Sequence, residues 1–555
     1  MKARGRLAGA LVSIALLGAA GATAAGIPAP SPAPSGPAGD YLVFYAEGGR
    51  AAALQAVKDA GATLDGQDDR LGYLIARTGS PERIGAGPAV VGVTLDRRIG
   101  AVARAGERTA ASSTASRAST ASRASSVSRR GSSTSGGDPL SGRQWDMAMI
   151  GATPTGSYAK VRGSHKVLVG IIDTGVDGNH PDIAPNFNRA LSRNFVTDRP
   201  KDSNGKKFDG ACEYKGCKDP ADVDDDGHGT HVASTIGSPL NGIGVAGVAP
   251  GVSLVNLRAG TDSGYFFLKP TMDALTYAGD VGIDVVNMSF YVDPWTFNCT
   301  ANPQDTRAQQ LEQRGIITGM RRALDYARKR GVTLITAIGN SGTDLGKPTR
   351  DTASPDYPLG AERDRKVDNS CVNVPAELDG VISVSAVGPS GRKAVYSDYG
   401  IEQTDIAAPG GDMFDGGTPL KGARREILAA APYRALRAGG LVDAHGKPDD
   451  PAVVQECHGG KCAYYQYLEG TSMAAPHVTG IAALIISRFG KPGKGGLYMD
   501  PAKVEKLLYA SAVQKTCPSP RAAKYGAGGT QLCEGGKDKN GFYGHGIANA
   551  LRAVG

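Results

Sequence analysis

Aromatic residues are scarce in this 555-residue chain, 6% in all with two tryptophans. So thin a supply argues against a surface that stacks nucleobases. Past the extreme N-terminus there is no long apolar run, which excludes a multi-spanning helical membrane protein. No cysteine pair has the C-x₂-C spacing of a zinc site. The 78 glycines show no G-X-Y period, so they mark tight turns and not a collagen helix. A dominant charge sign is missing as well. The formal net charge is +8, yet residues 1–137 hold 16 Lys+Arg against 9 Asp+Glu, while 138–555 hold 46 against 45. The basicity lies outside the bulk of the chain, which argues against a nucleic-acid partner. What remains, 41% hydrophobic and 21% charged residues, is the composition of an ordinary globular protein.

The N-terminus has the three-part form of a secretory signal. Lys2, Arg4 and Arg6 precede an apolar stretch from Leu7 to about Leu17, followed by small residues around Ala22–Ala24. The stretch is shorter than a spanning helix needs, so residues 1–25 read as a cleaved signal, with an uncleaved anchor as the competing reading. Export agrees with the eight cysteines, an even number that suggests disulfides. Eight cysteines allow 105 pairings. Proximity in sequence suggests Cys212 with Cys217, Cys457 with Cys462 and Cys517 with Cys533, which leaves Cys299 with Cys371.

Composition then divides the chain. Residues 26–39 form a Pro/Ala/Ser linker. Residues 40–99 read as a small α+β domain, with strands at Tyr41–Tyr45, Leu71–Ala76 and Val90–Leu95 and a helix at Ala51–Ala60. At roughly 60 residues it is marginal for an independent core. Residues 100–137 are a Ser/Thr/Arg-rich tether: 15 of the 27 positions from Thr109 to Ser135 are Ser or Thr, too little apolar surface to offset the entropy of ordering. An RNA-binding arginine-rich segment is the alternative there.

From Asp138 to the C-terminus, apolar runs alternate with helical patterns. Val167–Ile172, Ser253–Leu257, Val285–Met288, Thr333–Ala337 and Val381–Val387 read as strands buried on both faces. Helices are predicted at Thr271–Gly279 and Thr318–Arg330. The class is α/β, a mostly parallel sheet flanked by helices, with ligands expected beyond the carboxyl ends of the strands.

Three segments carry chemistry. Asp173 directly follows a buried strand, where a carboxylate is placed to hold an imidazole. His228 sits between two glycines in Asp226-Gly227-His228-Gly229-Thr230-His231; two histidines three apart suit a metal too, but no carboxylate–histidine helix motif surrounds them. Ser472, in Glu469-Gly470-Thr471-Ser472-Met473-Ala474-Ala475-Pro476-His477, opens an apolar helix whose N-terminal N–H groups favour a developing anion. Taken singly, each has a bland reading as a turn or cap residue.

Together, in the order Asp…His…Ser, these blocks resemble the subtilisin-like serine proteases, peptidase family S8, over roughly residues 138–550. The resemblance implies a serine endopeptidase with Ser472 as nucleophile, His228 as general base and acid, and Asp173 as the orienting carboxylate. Asn340, in Ala337-Ile338-Gly339-Asn340, takes the place of the oxyanion donor. Substrate is then expected as an added strand along Asp262-Ser263-Gly264 and Met288-Ser289-Phe290, with Ala337, Ile338 and Gly339 walling the primary pocket. Tyr291 and Ile338 replace smaller residues of the family and are expected to add bulk there. The acidic run Asp219, Asp222, Asp224, Asp225, Asp226 is a candidate for attracting basic side chains, or a solvated loop or weak calcium site.

The same resemblance implies a structural calcium ion held by Asp138, Asp182 and Asn241 with the carbonyls of Ile243 and Val245, although Pro239 and Leu240 alter the entrance of that loop. No organic cofactor is expected. The domain at 40–99 resembles an inhibitory pro-domain of the I9 type, so maturation is expected between Ile99 and Asp138. The partners are then protein or peptide substrates and the chain's own pro-domain, on a secreted monomer without a membrane anchor. Two rivals stand: a maturation protease of narrow specificity for one partner pre-protein, and a catalytically silent binding protein of the same fold.

Overall fold

The computed structural model of the chain describes residues 38–97, 137–458 and 460–555. The expected signal, nearly all of the Pro-rich linker and residues 100–136 of the tether lie outside the described residues.

The N-terminal portion is a four-stranded antiparallel sheet with a helix. β1 (Gly39–Tyr45), α1 (Arg50–Asp59), β2 (Thr63–Asp68), β3 (Tyr73–Thr78) and β4 (Val90–Leu95) assemble in the order β2-β3-β1-β4. Strand periodicity explains how so small a unit is stabilised. Side chains alternate along β1: Val43 and Tyr45 pack with Ala53, Val57 and Ile84 in the domain's own core. Leu42 and Phe44 point the other way and join Ile316, Met320 and Ala323 of the larger portion. A domain marginal by itself therefore buries its second face on its neighbour. β2 was not evident in the sequence because its residues, Thr-Leu-Asp-Gly-Gln-Asp, form a largely exposed edge.

The larger portion is built on a seven-stranded sheet whose paired strands all run parallel. In chain order its elements are β5 (Leu168–Ile172), β6 (Arg193–Asn194), α2 (His228–Gly237), β7 (Ser253–Arg258), α3 (Leu268–Val281), β8 (Val285–Met288), α4 (Arg307–Lys329), β9 (Thr333–Ala337), β10 (Ile382–Val387) and β11 (Ile406–Pro409). The strand order is β11-β10-β9-β8-β5-β7-β6. The five central strands are wholly buried, in keeping with their mostly apolar sequences. A second, antiparallel sheet of β12 (Ile427–Ala430), β13 (Val453–His458) and β14 (Lys461–Leu468) leads into α5 (Thr471–Phe489). The fold is subtilisin-like.

α4 begins eleven residues before the predicted start, at Arg307, where Thr306 and Gln309 form a capping box. Gly315 lies in the part that the sequence did not mark as helix, where a glycine weakens the local helical preference. It serves close packing: a methyl at Gly92 of β4 would lie 2.4 Å from Gly315 N, and one at Gly315 would lie 2.0 Å from Thr94 Oγ1. All eight cysteines are paired, 212–217, 299–371, 457–462 and 517–533. Among the described residues no helix is long and apolar enough to cross a membrane.

Candidate active site

Asp173 follows the last residue of β5 and is fully buried. Its main-chain carbonyl accepts from Ala259 N and Gly260 N, both at 3.0 Å, and its Oδ1 accepts from Thr174 N at 2.8 Å. The carboxylate is thus fixed before any imidazole arrives. His228 is the first residue of α2, and its Nδ1 lies 2.7 Å from Asp173 Oδ1. That contact puts the hydrogen on Nδ1 and leaves Nε2 to face the cavity.

The approach of α2 to β5 depends on Gly229. A methyl there would lie 2.0 Å from Gly175 O and 3.0 Å from Asp173 Cβ. Asp224, itself buried, caps the helix: it accepts from Gly227 N, from Thr230 N and from the hydroxyls of Thr174 and Thr230. His231 turns the other way. Its Nε2 contacts the carbonyls of Ile427 and Gln466 at 3.0 and 3.1 Å, and burial lowers its pKa to about 3. A neutral imidazole committed to two carbonyls is no partner of His228 in a metal site.

Ser472 is the second residue of α5. Its N–H belongs to the first helical turn and has no intrahelical acceptor. Its Oγ donates to the Ser289 carbonyl at 3.2 Å, and the Ser289 hydroxyl donates back to the Ser472 carbonyl at 3.0 Å. In this conformation Ser472 Oγ is not hydrogen-bonded to His228, although both side chains line one cavity. Asn340 follows β9. Its Oδ1 accepts from Thr471 N and Thr471 Oγ1, each at 2.8 Å. With the oxygen occupied twice, the Nδ2 donor is the end left available, and it lies close to Gly470, where a methyl would be 3.7 Å from it.

Charge around His228 is strongly biased. Burial works against the imidazolium, but Asp173, Asp226 and Asp224 outweigh it, and the His228 pKa rises to about 9. The Asp226 carboxyl is pushed up to about 6, by burial first and then by Asp224. These neighbours favour positive charge on the imidazole, the charge it must take in accepting a proton.

The cavity holds about 520 Å³ and is bounded by Gly264, Ser289, Phe290, Ala337 and Gly339 as well as His228, Asn340 and Ser472. Two of the expected subsite residues are turned away from it. Ser263 donates its N–H and hydroxyl to Asp209. Ile338 is fully buried among Phe297, Leu345 and Val367, so its bulk supports the wall from behind and does not narrow the pocket. Tyr291 does line the cavity, with its hydroxyl 2.6 Å from Asp356 Oδ2. The acidic run is mostly committed elsewhere: Asp219 to Arg258, Asp222 to Arg189, Asp225 to Arg434 and Asp224 to the α2 cap. Of these, Asp226 alone borders the cavity. The carboxylates that line it beside Tyr291, Asp293 and Asp356, escaped sequence reading because they follow no motif.

The expected calcium residues do come together. Asp182 Oδ1 accepts from Asn241 Nδ2 at 3.2 Å and Oδ2 from Val245 N at 3.0 Å, while Asp138 Oδ1 accepts from Gly242 N at 2.7 Å. Ile243 lies between, its N–H held by Asn241 Oδ1. Asp138 Oδ2 is buried without a hydrogen-bond partner. Burial raises the carboxyls of Asp138 and Asp182 to about 6 and 8. Two adjacent buried carboxylates with an orphaned oxygen, and no cation acting on them among the described residues, fit a hard dication.

A hydroxyl, an imidazole, a buried carboxylate and an aimed amide converge on one cavity at the carboxyl ends of a parallel sheet. The family model described as "Subtilase family" matches residues 164–546, and the chain belongs to that family. The thermophilic serine proteinase of Bacillus sp. (strain AK1) is 27% identical over 328 residues, 59% of this chain and 54% of its own length. Fervidolysin of Fervidobacterium pennivorans is 27% identical over 384 residues, 68% of this chain and 41% of its own. The chain thus spans about half, or less, of the length of these curated relatives. The crystal structure of the epidermin leader peptide processing serine protease from Staphylococcus aureus superposes with a TM-score of 0.58, covering 93% of this chain and 98% of that one at 21% identity, a likeness of fold.

Proposed function

We propose that the chain is an exported serine endopeptidase made as an inactive precursor. The observation that carries this reading is the 2.7 Å Asp173–His228 pair facing Ser472 across a cavity that also holds the Asn340 amide. Rotation of Ser472 about χ1 frees its Oγ from the Ser289 carbonyl and turns it to His228 Nε2. Oγ then attacks the scissile carbonyl carbon as Nε2 takes its proton. Asp173 holds the tautomer and stabilises the imidazolium, which returns the proton to the leaving amine. An acyl-enzyme on Ser472 remains, and water releases it by the same base in a second cycle. Asn340 Nδ2 and Ser472 N–H hold the oxyanion. Losing such a donor costs about 10²–10³ in turnover, a magnitude measured in a subtilisin.

The domain at 40–99 acts as the intramolecular inhibitor, a reading supported by its face buried on α3 and α4. A calcium ion at Asp138, Asp182 and Asn241, with carbonyls of Ile243 and Val245, stabilises the fold when bound. A fluorophosphonate probe tests the peptidase reading: it is expected to label Ser472 in protein processed beyond residue 137. A fully processed, folded protein that stays unlabelled would favour the silent binding protein. Narrow specificity is favoured by one observation, the Tyr291 phenol lying at the cavity wall with its hydroxyl on Asp356. Cleavage of many unrelated sites in a diverse peptide library rules that out.

A further inference from the structure

Beyond the end of β4 the N-terminal domain places one arginine outside its own core. Arg97 has 9% of its side chain exposed, and its guanidinium lies against the larger portion of the molecule. One guanidinium nitrogen, Nη2, donates to Glu312 Oε1 at 2.6 Å. Its Cζ lies 5.4 Å from the Phe267 ring centroid and 5.7 Å from that of Tyr357. Glu312 Oε2 accepts from the indole N–H of the fully buried Trp295 at 3.0 Å, a hydrogen bond that does not involve Arg97.

The box that Glu312, Phe267 and Tyr357 make around Arg97 shares a wall with the substrate cavity. Phe267 stacks on Tyr265, which lines the cavity, and bridges to the backbone of Asp293. Asp293 and Asp356 line the cavity on one side, and the Arg97 charge acts on both from the other. Arg199 meets Tyr357 from another side and feels the repulsion of the Arg97 charge.

We propose that Glu312, Phe267 and Tyr357 form a substrate subsite for arginine on the acyl side of the scissile bond, with Arg97 as its internal occupant in the precursor. The proposal rests on the peptidase reading above. The acyl side follows from chain direction: Arg97 precedes the segment 99–138 where the precursor is expected to be cut. Removal of the N-terminal domain takes Arg97 away and leaves the Glu312 carboxylate, still held by Trp295, without its guanidinium partner beside two aromatic faces. Two ring faces and one carboxylate suit a planar, weakly hydrated guanidinium better than a compact ammonium.

The test uses the full-length protein after its own processing, with a mass-spectrometric library of peptides in which arginine is paired with citrulline, its neutral isostere. Arginine at one acyl-side position is expected to raise kcat/KM by about tenfold or more over citrulline, the scale of a charge-assisted hydrogen bond plus a cation–π contact. In Glu312→Gln, which keeps an acceptor for Trp295, the arginine-to-citrulline ratio is expected to fall severalfold, toward the smaller preference that the two ring faces alone give. Equal cleavage of both peptides by active wild-type enzyme overturns the subsite and reduces Arg97 to a latch between domains. This comparison needs no variant, so a poorly folding Glu312→Gln does not rescue the proposal. Processed protein that cleaves neither peptide and leaves Ser472 unlabelled overturns the peptidase reading itself.

Discussion

His228 carries the pH dependence of the site. Its pKa, raised to about 9 by Asp173, Asp226 and Asp224 against the opposing effect of burial, belongs to a group that must be neutral to accept the Ser472 proton. Below that value the imidazolium dominates and the base is lost, so kcat/KM on a neutral peptide is expected to rise with pH, with its midpoint near pH 9 and its plateau above that. Asp226→Asn removes one of the negative neighbours, and the inflection is expected to move toward neutrality; a profile unchanged by this substitution would contradict the electrostatic account. Asp173, His228, Ser472 and Asn340 were legible as residues because each sits in a distinctive local block. Ser263 and Ile338 were legible only as segments. Which way a side chain turns from an extended segment depends on what lies behind it, here Asp209 for one and the Phe297–Val367 cluster for the other.

At the scale of elements, the contact between β4 and α4 is decided by two glycines. With Gly315 N only 2.4 Å from where a methyl on Gly92 would lie, Gly92→Val is expected to push the strand off the helix. The displaced backbone cannot relax as a flexible side chain would. We expect the N-terminal domain to become accessible to trypsin in the intact precursor, and probe labelling of Ser472 to appear before processing is complete. Full protection of the domain in this variant would place its affinity elsewhere than at β4. Five strands of the parallel sheet were evident in the sequence because burial on both faces leaves a mostly apolar run; β6 and β11 were not, being only two and four residues long. β13 and β14 were not evident either, since Cys457, Cys462 and their neighbours lie in a half-exposed hairpin with no clean alternation, and β12, though buried, is a run of only four residues. The first eleven residues of α4 were missed for a related reason: Gly315 answers to a neighbour, and helix propensity reads only the local chain.

For the molecule as a whole, stability is expected to depend on calcium. Asp138 and Asp182 are buried side by side, with one oxygen left unpartnered. An ion bound only by the folded state stabilises it by about 2.7 kcal/mol at a hundredfold excess over Kd. Chelation is therefore expected to lower Tm by several degrees and speed self-digestion, with both effects abolished in Asp182→Asn. A Tm indifferent to chelator and calcium would argue that the loop closes on its own N–H groups.

The amino-acid sequence by itself determined the family, the candidate catalytic residues and the central strands of the parallel sheet, because these are written in short blocks and local periodicities. Tertiary structure decided which expected subsite residues face the cavity, that Asp293 and Asp356 border it, and that Arg97 lies in a box made from three distant segments. Periodicity fixes which face of a strand is apolar; only the packed fold supplies the partner that covers it.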